Sequence, residues 1–151
     1  MKAEKLDNAA DLYRADFHEW AVRTAELLRQ GRLAEVDVEH VAEEISEMGN
    51  RDRREVRSRL EVLLMHLLKW QVQPEGRSSS WTSTIVGQQT QLRLIFEDSP
   101  SLRLLADEEF NLRYERARWR AISETGLPEE VFPGIAPYAL EEALREGFFP
   151  E

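Results

Sequence analysis

Three places in this 151-residue chain bring together side chains that could do chemistry. The first is His66, the one polar residue in the apolar run from Val62 to Leu68. An imidazole in that setting needs a hydrogen-bond partner, and Glu43 or Glu44 on the preceding helix is the expected one. As a structural pair they would fix helix register. As an acid–base pair, Glu44 would orient His66 to act as a base near neutral pH, which makes these two the candidate catalytic residues.

The second place is the turn from Lys69 to Trp81. Arg77, Ser78 and Ser80 arrive where a new helix begins, and free backbone N–H groups with the positive end of the helix dipole favour an anion there. Arg77 could clamp a phosphate or carboxylate, Lys69 could add charge, and Trp70 or Trp81 could form a stacking wall. The plain alternative has the serines capping, the tryptophans packing and Arg77 pairing with an acid. Ser78, Ser79 or Ser80 could act as a nucleophile with His66 only if the loop folded back, and no nucleophile elbow is present.

The third place is Asp37-Val38-Glu39-His40, with Glu43 and Glu44 one turn later. His40 and either glutamate share a helix face and could offer two metal ligands. A three-histidine site with His18 and His66 would need three helices to converge, and nothing in the spacing specifies that. No metal and no cofactor is expected. The chain has no cysteine, which removes thiolate metal sites and cysteine nucleophiles. It also lacks a glycine-rich phosphate loop, an HExxH segment and paired Glu-x-x-His motifs.

The composition narrows the partners. With 42% hydrophobic residues the chain can build a core. Its 29 acidic against 20 basic residues, a net charge of −9, disfavour nucleic acid, because phosphate binding relies on Lys and Arg displacing counterions. The basic island Arg51, Arg53, Arg54, Arg57 and Arg59 is the exception, yet Asp52, Glu55 and Glu61 stand among those arginines at helical pairing distances. No apolar stretch approaches the ~20 residues of a membrane span. Residues 1–10 are polar, without a secretory or transit pattern, and are expected to be a flexible N-terminus. A soluble, cytoplasmic protein is the expectation.

Those side chains must be positioned by helices, since no segment alternates like a strand. The spacing predicts a helix from Asp11 to Gln30 with Gly31 as its cap, then one from Asp37 to Met48 interrupted by Gly49 and Asn50. A long helix follows from about Asp52 to Gln73. Its run Val62 to Leu68 is apolar nearly all round, so it should sit in the middle of the fold. Pro74 and Gly76 end it. A further helix starts near Ser80 and reaches Glu97, and Ser99-Pro100 restarts the chain as a capping hydroxyl followed by proline at the first helical position. That helix ends at Gly126. From Leu127 the chain is punctuated by Pro128, Pro133, Gly134 and Pro137, with one short helix at about Tyr138 to Arg145 and the aromatic tail Phe148-Phe149. The expected fold is all-α. It is a single-domain helical bundle over residues 1–151, with a long central helix and a C-terminal arm, residues 127–151, lying on it.

The segments Leu12 to Trp20, Ala25 to Arg32, Ala42 to Gly49, His66 to Pro74, Arg77 to Trp81 and Ser99 to Leu102 together resemble the bacterial family called domain of unknown function twenty-nine. The resemblance spans about Asp11 to Pro150 and is most specific in the H-L-L-K-W-Q run from His66. It implies a small all-helical cytoplasmic protein and no particular activity. Glu43, Glu44, His66, Lys69, Trp70, Pro74, Arg77, Ser78, Ser80 and Trp81 match its motif positions. His18 falls where the family tends to carry an aromatic residue, which weakens the three-histidine idea.

The leading functional expectation is a non-enzymatic binding module for a protein partner, motivated by exposed aromatic ends such as Phe148 and Phe149. The competing one is a small-anion-binding protein or hydrolase with Glu44, His66, Lys69, Arg77 and Trp81 around one cleft. Nucleic-acid binding through Arg51 to Arg59 ranks third. Self-association is open, because an apolar arm can pack on its own chain or on a neighbour.

Overall fold

The computed structural model describes residues 9–151, all-α with no strand among them. The helices are α1 (Ala9–Ala15), α2 (Phe17–Arg29), α3 (Val38–Val72), α4 (Ser79–Asp98), α5 (Pro100–Thr125) and α6 (Leu140–Leu144). Short 3-10 turns stand at Leu33–Glu35, Pro74–Gly76 and Glu129–Val131. The chain divides into two compact units, Met1–Asn50 and Arg51–Glu151. Apart from Ala9 and Ala10, which open α1, the expected flexible N-terminus lies outside the described residues. No helix among the described residues is long and apolar enough to cross a membrane.

Two helix boundaries differ from those read in the sequence. The first predicted helix is broken into α1 and α2 at Asp16, whose carboxylate accepts a hydrogen bond from the Glu19 backbone N–H at 3.0 Å. Asp16-x-x-Glu19 is a capping signal inside an apolar periodicity, and a side chain that satisfies a free N–H starts a new helix there. Conversely, Gly49 and Asn50 do not interrupt anything, and α3 runs for 35 residues without a stop. A glycine ends a helix when it turns left-handed; Gly126, at φ 67°, does so after α5, whereas Gly49 stays helical.

Gly49 therefore only weakens α3. A Cβ added there would meet nothing within 4 Å, so Gly49→Ala is expected to raise stability by about 0.5–1 kcal/mol. Urea denaturation measures it, and a loss of stability would mean that α3 is not continuous through this position.

In the first unit, the described residues wrap Tyr13 in other rings. It stacks on His40 at 3.9 Å between centroids and meets Trp20 edge-on at 4.9 Å. Asp37 caps α3, accepting from the His40 backbone N–H at 3.3 Å and bonding the His40 ring as well.

The second unit is built on the apolar belt of α3. Leu60, Leu63, Leu64, Leu67 and Leu68 are fully buried. Around them pack Ile85, Leu92 and Phe96 of α4 and the small residues Ala106, Ala117 and Ala121 of α5. The arm completes this core with Phe132, Tyr138, Leu140, Ala143 and Leu144. Ser99-Pro100 restarts the chain as predicted, though the Ser99 hydroxyl makes no capping hydrogen bond. Phe148 and Phe149 are half-buried rather than free ends. Phe148 meets Tyr138 at 5.5 Å and Phe149 meets Trp70 at 4.7 Å.

Candidate functional site

His66 and Glu44 do not form a pair. Both lie on α3, and each holds another partner. His66 Nδ1 donates to the Val62 carbonyl one turn back, at 2.8 Å. Glu44 instead accepts a 2.6 Å hydrogen bond from the Tyr13 hydroxyl, which raises the tyrosine pKa to about 12, with burial and the nearby carboxylates adding to the effect. Neither residue is the hydrogen-bond partner of the other.

The remaining Nε2 of His66 is a neutral acceptor. Partial burial lowers its pKa below the usual 6.5; the Val62 carbonyl and Glu124 oppose that shift, and Lys69 and Arg120 reinforce it. The unfolded chain thus takes up this proton first as the pH falls. Stability is expected to drop below about pH 6.5 and to level off once the folded imidazole is also charged. His66→Leu should remove that part of the difference between urea denaturations at about pH 7 and about pH 5.5. An equal pH difference in both proteins would mean that His66 titrates normally.

The turn after α3 does gather the predicted residues. Arg77 lies over the Trp70 ring at 4.8 Å and its Nε donates to the Trp70 carbonyl at 2.8 Å, capping the end of α3. Lys69 sits over the Trp81 ring at 4.7 Å and pairs with Glu124 at 3.1 Å. Gly76 lies against Trp81, where a Cβ would come to 2.8 Å of the ring. Ser78 caps α4 by accepting from the Trp81 N–H at 3.3 Å, and Ser80 is exposed in its first turn. The result is two cation–ring pairs in which Lys69 and Arg77 each already hold a partner.

Two arginines of the basic island are tied into the second unit. Arg57 grips Glu109 of α5 with two hydrogen bonds, at 2.6 and 2.8 Å. Arg59 bonds Glu55 at 2.9 Å and Gln88 of α4 at 3.1 Å. Among the described residues no group of three or more His, Asp or Glu could hold a metal ion. His40 is engaged by Asp37 and Tyr13, and His18 is exposed on α2.

Two residues that the sequence reading passed over hold the most polar contacts in the core. Gln89 is fully buried on the face shared by Ile85, Leu92 and Phe96, a spacing that marks it as core-facing. Its amide donates to the carbonyls of Ala143, at 3.2 Å, and Phe148, at 3.1 Å, and accepts from the Gly147 N–H at 3.1 Å. Arg113 is 8% exposed and lies between Glu61, at 2.7 Å, and Glu109, at 3.3 Å. Its seven-residue step from Ala106 is the signal that it points inward.

No curated protein and no solved structure matches the chain. The family model described as domain of unknown function DUF29 matches residues 12–149, the span over which the turn, the α3 belt and the arm have just been described. The chain belongs to the DUF29 family.

Proposed function

We propose that this protein is a non-catalytic binding module whose partner docks on the first four turns of α3. One observation carries the reading: Val38, Ile45 and Met48 are 63%, 64% and 61% exposed, and at 100° per residue they fall within about 80° of one another on the helix. Three large apolar side chains exposed on one face are a recognised mark of an interaction surface. The chemistry around them selects the partner. Glu39, Glu43, Glu44 and Glu47 of the same helix line an open cleft beside Tyr13, so an apolar stripe runs next to a row of carboxylates. A basic amphipathic segment of another protein complements both, its apolar face on the stripe and its Lys or Arg residues on the glutamates.

The test compares native protein with an Ile45→Ser, Met48→Ser double variant, each used to recover partners from the cells that express it. The expected result is a partner lost selectively by the variant, in which hydrogen exchange protects a basic amphipathic segment. The reading fails if both forms recover the same proteins, or if the only species lost is a second copy of this chain.

A further inference from the structure

We propose that the cleft between α4, α5 and α6 binds an organic anion, an acidic group carried on an apolar body. The cleft has a volume of 690 Å³ and is lined by Arg93, Arg103 and Arg145, with Phe96, Pro100 and Leu144 as its apolar part. That volume falls in the range of about 300–1,000 Å³ typical of small-molecule sites.

At Arg103 the guanidinium is the better-buried partner, and the carboxylates are the exposed ones. Arg103 pairs with Glu141 at 3.0 Å, but its side chain is 27% exposed while that of Glu141 is 85% exposed. Its second partner, Asp107 at 3.4 Å, is half exposed, and the Arg103 Nε has no hydrogen-bond partner among the described residues. Arg93 holds Glu146, at 3.2 Å, on the surface. Arg145 lies over the Phe148 ring at 5.4 Å and pairs with no carboxylate among the described residues. Such exposed single-point ion pairs are worth about 0–1 kcal/mol each, so an incoming acid that accepts two parallel N–H bonds displaces Glu141 readily. The cleft's own acids set the limit on charge. Glu97, Glu141 and Glu142 also line it, and Glu142 is held at the start of α6 by the Ala139 N–H, at 3.4 Å. The balanced lining favours a singly charged group over a polyanion.

The rest of the ligand has to be apolar. Phe96 and Leu144 are 9% and 4% exposed, so they form a firm floor belonging to the core. The rim is the start of α5 at Pro100, where the Ser99 side chain leaves the helix end uncapped, and the helix dipole there adds to the attraction for a negative group. A carboxylate or sulfonate on a flat ring system matches this arrangement, with the acid on Arg103 and Arg145 and the ring on Phe96 and Leu144.

The experiment titrates the whole chain with anilinonaphthalene sulfonate, an aromatic sulfonate whose fluorescence reports an apolar site, while amide NMR shifts locate it. Saturable binding is expected, with the largest shifts at Phe96, Arg103 and Leu144. Arg103→Gln and Arg145→Gln should each weaken it by about tenfold, the loss of one charge-assisted hydrogen bond. Naphthoate should compete, and inorganic phosphate at the same concentration should not. Shifts elsewhere in the chain, unchanged affinity in both variants, or equal competition by phosphate would overturn the proposal. The NMR map of the unmodified protein decides the location even if a variant is unstable.

Discussion

Gln89→Leu is expected to destabilise the second unit by about 2–4 kcal/mol, lowering Tm by roughly 5–15 °C. The substitution keeps the volume of a fully buried side chain but deletes every bond that the amide makes to the arm. The carbonyls of Ala143 and Phe148 and the N–H of Gly147 are left without their partner, and each such loss costs about 1 kcal/mol or more when water cannot replace the bond. The damage should be local in its first step. Faster hydrogen exchange is expected at Gly147 well before the belt of α3 opens, because the amide holds residues 143–148 to α4. Gln89→Glu should be worse, since a carboxylate offers no donor and adds a buried charge. A Gln89→Leu protein that unfolds within about 0.5 kcal/mol of the native one would show that the arm is held by its apolar residues alone.

Arg113→Ala is expected to cost about 3–5 kcal/mol, the penalty for removing one member of a buried ion pair. Glu61 and Glu109 both face this guanidinium, with side chains only 15% and 20% exposed. Arg57 would still hold Glu109, and Arg120 stands 3.9 Å from Glu61, so the effect should fall nearer the lower figure. Arg113→Lys should recover only part of it, because an ammonium cannot span two carboxylates as a planar fork does. A triple change of Arg113, Glu61 and Glu109 to apolar residues of similar size should be far milder than Arg113→Ala alone. Urea denaturation of this set measures the effects, and an Arg113→Ala protein as stable as the triple variant would mean that the network is solvated. The same network predicts acid sensitivity. The Arg57 hydrogen bonds, supported by the charges of Arg57, Arg113 and Arg53, outweigh partial burial and hold the Glu109 carboxyl below its usual 4.5. Its contribution is therefore full above that pH and is lost as the pH falls through the depressed value.

These ion pairs also orient the helices. Arg57 meets Glu109, Glu61 meets Arg113 and Lys69 meets Glu124, so residue numbers rise together and α3 and α5 run in the same direction. That arrangement follows from α4 lying between them in the chain, a helix long enough to carry the chain back.

The all-α class, the buried belt of α3, the restart at Pro100 and the left-handed stop at Gly126 were all legible in the sequence, because each depends on residues within a few positions of one another. Proline geometry, a glycine at positive φ and a run of leucines act locally. The same local reasoning misread Asp16, where a capping carboxylate outweighed apolar periodicity, and Gly49, where strong helix formers on both sides carried the helix through. Family membership was also readable, since the H-L-L-K-W-Q segment and the turn after it are contiguous. The turn's residues meet in two cation–ring pairs, whereas His66 and Glu44 each hold another partner, the Val62 carbonyl and the Tyr13 hydroxyl.

Tertiary structure alone decided which polar groups meet. Nothing near Gln89 in the chain says that its amide will hold Gly147, and nothing near Arg113 names Glu61. Each of those contacts joins residues more than fifty positions apart. A helix face states that a side chain points inward, and burial then requires that its hydrogen bonds be satisfied. The partner is set by how neighbouring helices slide and rotate against the leucine belt, and that depends on the packing of every residue in the core at once.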